Sequence, residues 1–155
     1  MRGEWRLLFR ASRYGFDASM FHSKCDQRGP SITVVKSGEN IFGGFTEKAW
    51  KSCHGCVSCH QSFLFSFVNP SGLVPTKFPL ISGRETYAMF CDPNHGPAFG
   101  GAKGPDLILS NGAHSNTNES YLGSSYRLPP GQPYSFFTGD NKFTLTDYEV
   151  FGLRQ

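Results

Sequence analysis

The chain has 155 residues with a formal net charge of +3, and only 17% of them are charged, which excludes a disordered polyelectrolyte. The basic residues are spread rather than clustered, so neither nucleic acid nor an anionic membrane is indicated as a partner. Eighteen glycines and 10 prolines are too many turn formers for a helical bundle, while 15 phenylalanines with six tyrosines and two tryptophans favour strands packed face to face.

Chain order begins with a short apolar segment, Trp5 to Phe9, ended by Arg10-Ala11-Ser12-Arg13 and a turn at Gly15. A helix is expected over Ala18 to Cys25, with Asp17 as N-cap, Phe16 and Phe21 as a hydrophobic staple, and Gly29-Pro30 as the stop. A hairpin follows: Ser31 to Lys36 is β-branched, Ser37-Gly38-Glu39-Asn40 turns, and Ile41 to Phe45 returns. Gly43 and Gly44 inside that strand predict a bulge or a close approach by another layer. Ser62 to Val68 is nearly all apolar and reads as a strand buried on both faces. Asn69-Pro70-Ser71-Gly72 turns, and Pro75 and Pro79 confine the next segment to a sheet edge or an extended loop. Strands are predicted at Thr86 to Cys91 and Asp106 to Ser110, and a long polar loop at Asn111 to Gln132 with one strand near Tyr126. In Phe143 to Phe151 the apolar side switches parity at Tyr148, which predicts a bulge near Asp147. Seven or eight short strands and one firm helix specify an α+β, mainly β chain, a two-sheet antiparallel β-sandwich flanked by short helices.

No stretch approaches the ~20 apolar residues of a membrane-spanning helix, and the first residues lack a signal-peptide core. Five cysteines, an odd number, suit a reducing cytoplasmic compartment with mostly free thiols. The densest chemistry is Cys53-His54-Gly55-Cys56-Val57-Ser58-Cys59-His60. Cys56 to His60 fits the haem c attachment pattern C-x-x-C-H, and Cys53 to Cys56 fits a redox C-x-x-C. Cys53, Cys56, Cys59 and His60 together could surround zinc, the one cofactor the sequence suggests. The plainer reading, preferred here, is an exposed loop that holds no metal. The glycine-rich run Gly96 to Gly104 satisfies no phosphate-loop pattern, and no G-x-S-x-G elbow exists. His22 is read as a packing or capping histidine, and Glu149 as a solvent-facing carboxylate on an alternating strand rather than a half-buried one.

The blocks Leu7-Leu8-Phe9-Arg10-Ala11-Ser12-Arg13, Gly15-Phe16, Phe21-His22-Ser23-Lys24-Cys25-Asp26, Gly29-Pro30 and Phe42-Gly43-Gly44-Phe45-Thr46 with Trp50 resemble the TLDc domain family. Ser62-Phe63-Leu64-Phe65-Ser66, Gly96-Pro97, Phe99-Gly100, Asp106-Leu107 and Glu149-Val150-Phe151 continue in the family's order, so that residues 1–155 read as one TLDc-like domain. The resemblance implies a two-sheet antiparallel sandwich and a non-enzymatic interaction domain in oxidative-stress resistance, with the vacuolar proton-pumping ATPase as protein partner. It supplies no catalytic residue. It marks His22, Ser23, Lys24, Cys25, Asp26, Gly43, Gly44 and Glu149 as motif positions. An alternative is a thiol-redox enzyme or hydrolase using Cys25 or the cluster of Cys53, Cys56 and Cys59. Three features depart from the family pattern: the chain opens at the Trp5 block without the family's usual first helix, Tyr14 stands where an Asp often follows the Arg, and Cys53 to His60 fall in a loop resembling its variable insertion.

Overall fold

A computed structural model of the chain describes residues 3–101 and 104–154. Two six-stranded antiparallel sheets form it. The first runs β1 (Glu4–Arg10), β12 (Asp147–Arg154), β2 (Ser31–Ser37), β3 (Asn40–Thr46), β5 (Ser62–Val68) and β6 (Thr76–Pro79) in spatial order. The second runs β11 (Lys142–Phe143), β10 (Asn118–Glu119), β9 (Leu107–Ser110), β8 (His95–Phe99), β7 (Met89–Cys91) and β4 (Gly55–Val57). Two short helices, α1 (Ala11–Tyr14) and α2 (Ala18–Cys25), and a 3-10 turn at Glu85–Tyr87 complete the secondary structure. The expected two-sheet sandwich flanked by short helices is the fold observed.

Burial of large rings between the sheets holds the layers together, the dominant favourable contribution in a domain this rich in phenylalanine. Trp50 is fully buried, edge-on to Phe21 and Phe99 at 5.6 and 5.3 Å, and its indole N–H donates to Ser31 Oγ at 3.1 Å. Phe42 stacks on Phe137 at 4.5 Å, and Phe78 meets Phe136 and Phe137 edge-on. Phe136 and Phe137 come from a turn rather than a strand, and they plug the core from its polar connecting segment.

The two glycines of β3 record close approach on opposite faces. A Cβ on Gly44 would lie 2.7 Å from Phe99 Cζ in the facing sheet and 2.8 Å from Leu64 Cδ2. At Gly43 it would strike the Thr33 carbonyl. The bulge falls instead in the partner strand β5, where Phe67 is the extra residue between the partners of Ile41 and Phe42. Pro79 ends β6, which is the edge strand the prolines predicted.

Several expectations are corrected. The parity switch near Asp147 is not a bulge in one strand: Phe143 belongs to β11 in the second sheet and Tyr148 to β12 in the first, so the chain changes layers between them. Between the first strand and the turn at Gly15 lies a helix the sequence did not announce, α1, anchored by Ser12 N–H and Oγ donating to the Asp147 carboxylate at 2.9 and 2.6 Å. Helix α2 has the predicted bounds, but the Asp17 side chain makes no cap. Asn111 Oδ1 accepts the Ala18 N–H at 2.7 Å instead, and Phe16 stacks on His114 at 4.1 Å. Thr86 to Cys91 is a strand only from Met89, and Tyr126 makes an isolated bridge to Leu80 rather than a strand. Ala102 and Lys103 of the glycine-rich run lie outside the described residues.

Candidate functional site

Alternation along the strands of the first sheet aims Ser31, Thr33, Val35 and Ser37 inward, where all are buried, and leaves Ile32 and Val34 on the outer face. Register extends that face across all six strands. Leu7, Phe151, Ile32, Phe45, Phe63 and Pro79 are successive partners in one row. The neighbouring row is Arg10, Glu149, Val34, Gly43, Phe65 and Lys77. An antiparallel sheet with one solvated face ordinarily alternates apolar and polar residues. Here the outward positions are apolar too. Trp5 is 40% exposed and Phe67 51%, and a groove of ≈ 500 Å³ runs between Ile32, Val34, Phe63, Phe65, Phe67 and Phe151.

Local chemistry shapes the rim and floor of this groove. Arg10 donates from Nε and Nη2 to Glu149 Oε2 at 2.9 and 2.7 Å, closing one end of the second row with a paired charge. Lys77 Nζ sits 4.1 Å above the Phe63 ring at the other end. Gly43 leaves a gap in the floor across which the Phe65 ring lies. An exposed apolar patch of this kind, with few charges at its rim, marks an interaction surface or a ligand-binding groove. The sequence reading of Ser62 to Val68 as buried on both faces is therefore corrected: one face is core, the other open. The near-continuous apolar run carried the signal.

The motif His22 to Asp26 is an internal staple. His22 Nδ1 donates to Asp26 Oδ1 at 2.7 Å, and Nε2 donates to the carbonyls of Asp92 and His95, each at 2.8 Å. Carbonyl oxygens only accept, so Nε2 carries a hydrogen, and the Asp26 carboxylate also accepts from Ser52 Oγ. The staple ties α2 to the turn between β7 and β8. Lys24 Nζ lies 4.6 Å above the Tyr14 ring, so the residue that departs from the family pattern holds a cation by its π-face. Ser23 is exposed on α2. Cys25 is buried, and burial pushes its thiol far above the ordinary range, which disfavours the thiolate.

Cys53, Cys56, Cys59 and His60 are not brought together. Cys59 lies in the core, where Thr46 Oγ1 reaches its sulfur at 3.7 Å. Cys56 is exposed on β4 against Gly101, and His60 is exposed beside a different groove with Phe45, Phe63 and Arg127. Of the four candidates only Cys56 lies on β4, while Cys59 turns into the core beyond it, and among the described residues no three His, Cys, Asp or Glu side chains form a metal-binding group. Next to Cys53, the Asp92 carboxylate stands 3.6 Å from His54 Nδ1 and 3.7 Å from His95 Nδ1. The Asn94 N–H, followed by the two imidazoles, holds that carboxyl below its usual range.

Fold and surface together define a class: a two-layer antiparallel β domain that covers one face of each sheet with the other and leaves an aromatic face unpartnered. The model of the TLDc domain family matches residues 2–154, and the chain belongs to that family. Over 63 residues it is 33% identical to MTOR-associated protein MEAK7 of Danio rerio. That match takes in 40% of this chain and 14% of the relative's length. No helix among the described residues is long and apolar enough to cross a membrane.

Proposed function

We propose that the chain is a non-enzymatic recognition domain of the cytoplasm, acting in oxidative-stress resistance by binding and regulating the vacuolar proton-pumping ATPase. The observation that carries recognition is the uncovered outer face of the first sheet, with Trp5 and Phe67 exposed above the groove floored by Ile32, Val34 and Phe65. Burying such a face gains roughly 25 cal/mol per Å² of apolar surface, so partner association is the favourable way to remove it from water. The family resemblance supplies the ATPase as partner and the oxidative setting. The name of the Danio rerio relative, an MTOR-associated protein, agrees with a role in protein association.

A pull-down of the ATPase peripheral subunits by the chain tests this reading. Capture is expected for the wild type and for Tyr134→Asp, which changes an exposed aromatic outside the face, and loss is expected for Phe67→Asp. No capture by the wild type, together with no protection of cells against peroxide, would overturn it.

A further inference from the structure

Five cysteines are free in the structure, and two from distant parts of the sequence meet at the edge of the second sheet. The Cys53 thiol points at the Cys91 carbonyl oxygen at 4.0 Å, and the nearby Cys53 thiol adds to burial in raising the Cys91 thiol. Pairing of β4 with β7 enforces the approach. Gly55 stands opposite Cys91, and Cys53 lies two residues before Gly55 in the chain. The other thiols stand elsewhere: Cys25 in α2, Cys59 under Thr46, and Cys56 against Gly101.

We infer that Cys53 and Cys91 form an oxidisable dithiol that closes to an intramolecular disulfide when it meets hydrogen peroxide or a small hydroperoxide. Exposure assigns the order of events. Cys53 is half-buried at the surface and attacks first, while Cys91 is 1% exposed and resolves. The Cys53 sulfur forms a bond to one peroxide oxygen, the O–O bond breaks, and the departing oxygen leaves as water or alcohol with the thiol's proton. The Cys91 sulfur then attacks the resulting sulfenic acid. The S–S bond forms, the S–O bond breaks, and the hydroxyl leaves as water with the Cys91 proton. Two thiols lose two electrons and two protons in all, and one peroxide becomes water and water or alcohol. Burial pushes the Cys91 thiol up to about 11, so it does not compete for peroxide, and a hydrogen bond from the Lys51 backbone to its sulfur partly offsets that burial. This site belongs to the second sheet and stands independently of the docking face of the first.

The test uses the full chain, reduced and freed of reductant, treated with equimolar hydrogen peroxide, alkylated under denaturing conditions and mapped by non-reducing peptide mass spectrometry. A Cys53–Cys91 peptide pair that a dithiol reductant abolishes is expected. Cys53→Ser should leave Cys91 alkylated, whereas Cys91→Ser should convert Cys53 to a sulfenic acid that dimedone traps. Cys53→Ser changes a loop side chain at the surface, so it remains informative where Cys91→Ser fails to fold. Recovery of Cys91 alkylated from the oxidised wild type, or of Cys53 joined to Cys56 instead, would overturn the assignment.

Discussion

Gly44 shows how one residue sets the distance between layers. Its missing side chain is the space that Phe99 of the second sheet and Leu64 of β5 occupy. Gly44→Ala forces both rings and methyls to shift in a full core and should cost about 1–3 kcal/mol in chemical denaturation. His22 is the second decisive position. His22→Gln keeps size and polarity but cannot donate to Asp26 and to the 92–95 carbonyls at once, and should cost about 2–3 kcal/mol, since bonds to a charged partner are lost in a buried place. Equal stability of either variant with the wild type would contradict these roles. The sequence reading reached both residues, Gly44 as a close approach and His22 as a packing or capping histidine. It could not name their partners, because Phe99 and Asp92 lie far along the chain. The Cys53 to His60 run shows the converse: neighbours in sequence end apart, with Cys59 in the core and Cys56 and His60 exposed.

Elements that follow local rules were legible, and those fixed by distant contacts were not. The hairpin of β2 and β3 and the bounds of α2 follow from β-branched runs, turn residues and stops. The cap of α2 comes from Asn111, which no local signal announces. The passage from β11 to β12 keeps a period of two on both sides, and periodicity alone does not say which sheet a strand joins. A further long-range device fixes the loop at 123–126: Asp106 is wholly buried, and its carboxylate accepts the backbone N–H groups of Ser125 and Tyr126. Burial pushes this carboxyl up to about 7, against the pull of those N–H donors, from an ordinary 3.8. The folded state therefore binds the proton more tightly than the unfolded one. The stabilisation this gives is complete below about pH 4 and is lost as pH rises through 7. Asp106→Asn removes the titration, so the stability advantage of the wild type over the variant should shrink across that window. Urea midpoints measured at several pH values check it, and an advantage that grows with pH would show that the N–H donors win.

At the scale of the molecule, the first sheet carries large apolar side chains on both faces although only one meets the second sheet. The same pattern that identified Ser62 to Val68 as a strand therefore contained this exposed apolar face, and only the arrangement of layers shows which side stays open. Phe151, Ile32, Phe45 and Phe63 come from four strands in one row, so the face exists only in the folded sheet. Its rim is sparse in charge, with the Arg10–Glu149 pair at one side and Lys77 at the other. Association through it should depend less on salt than contact through a charged surface would, because exposed charges are what salt screens. The central claim is that this face is the recognition surface. Carbene footprinting of the chain, alone and with the isolated peripheral sector of the proton-pumping ATPase, addresses it residue by residue. The expected result is protection concentrated at Trp5, Phe63 and Phe67, with Tyr134 unchanged; binding that leaves those three as reactive as in the free chain would contradict the account.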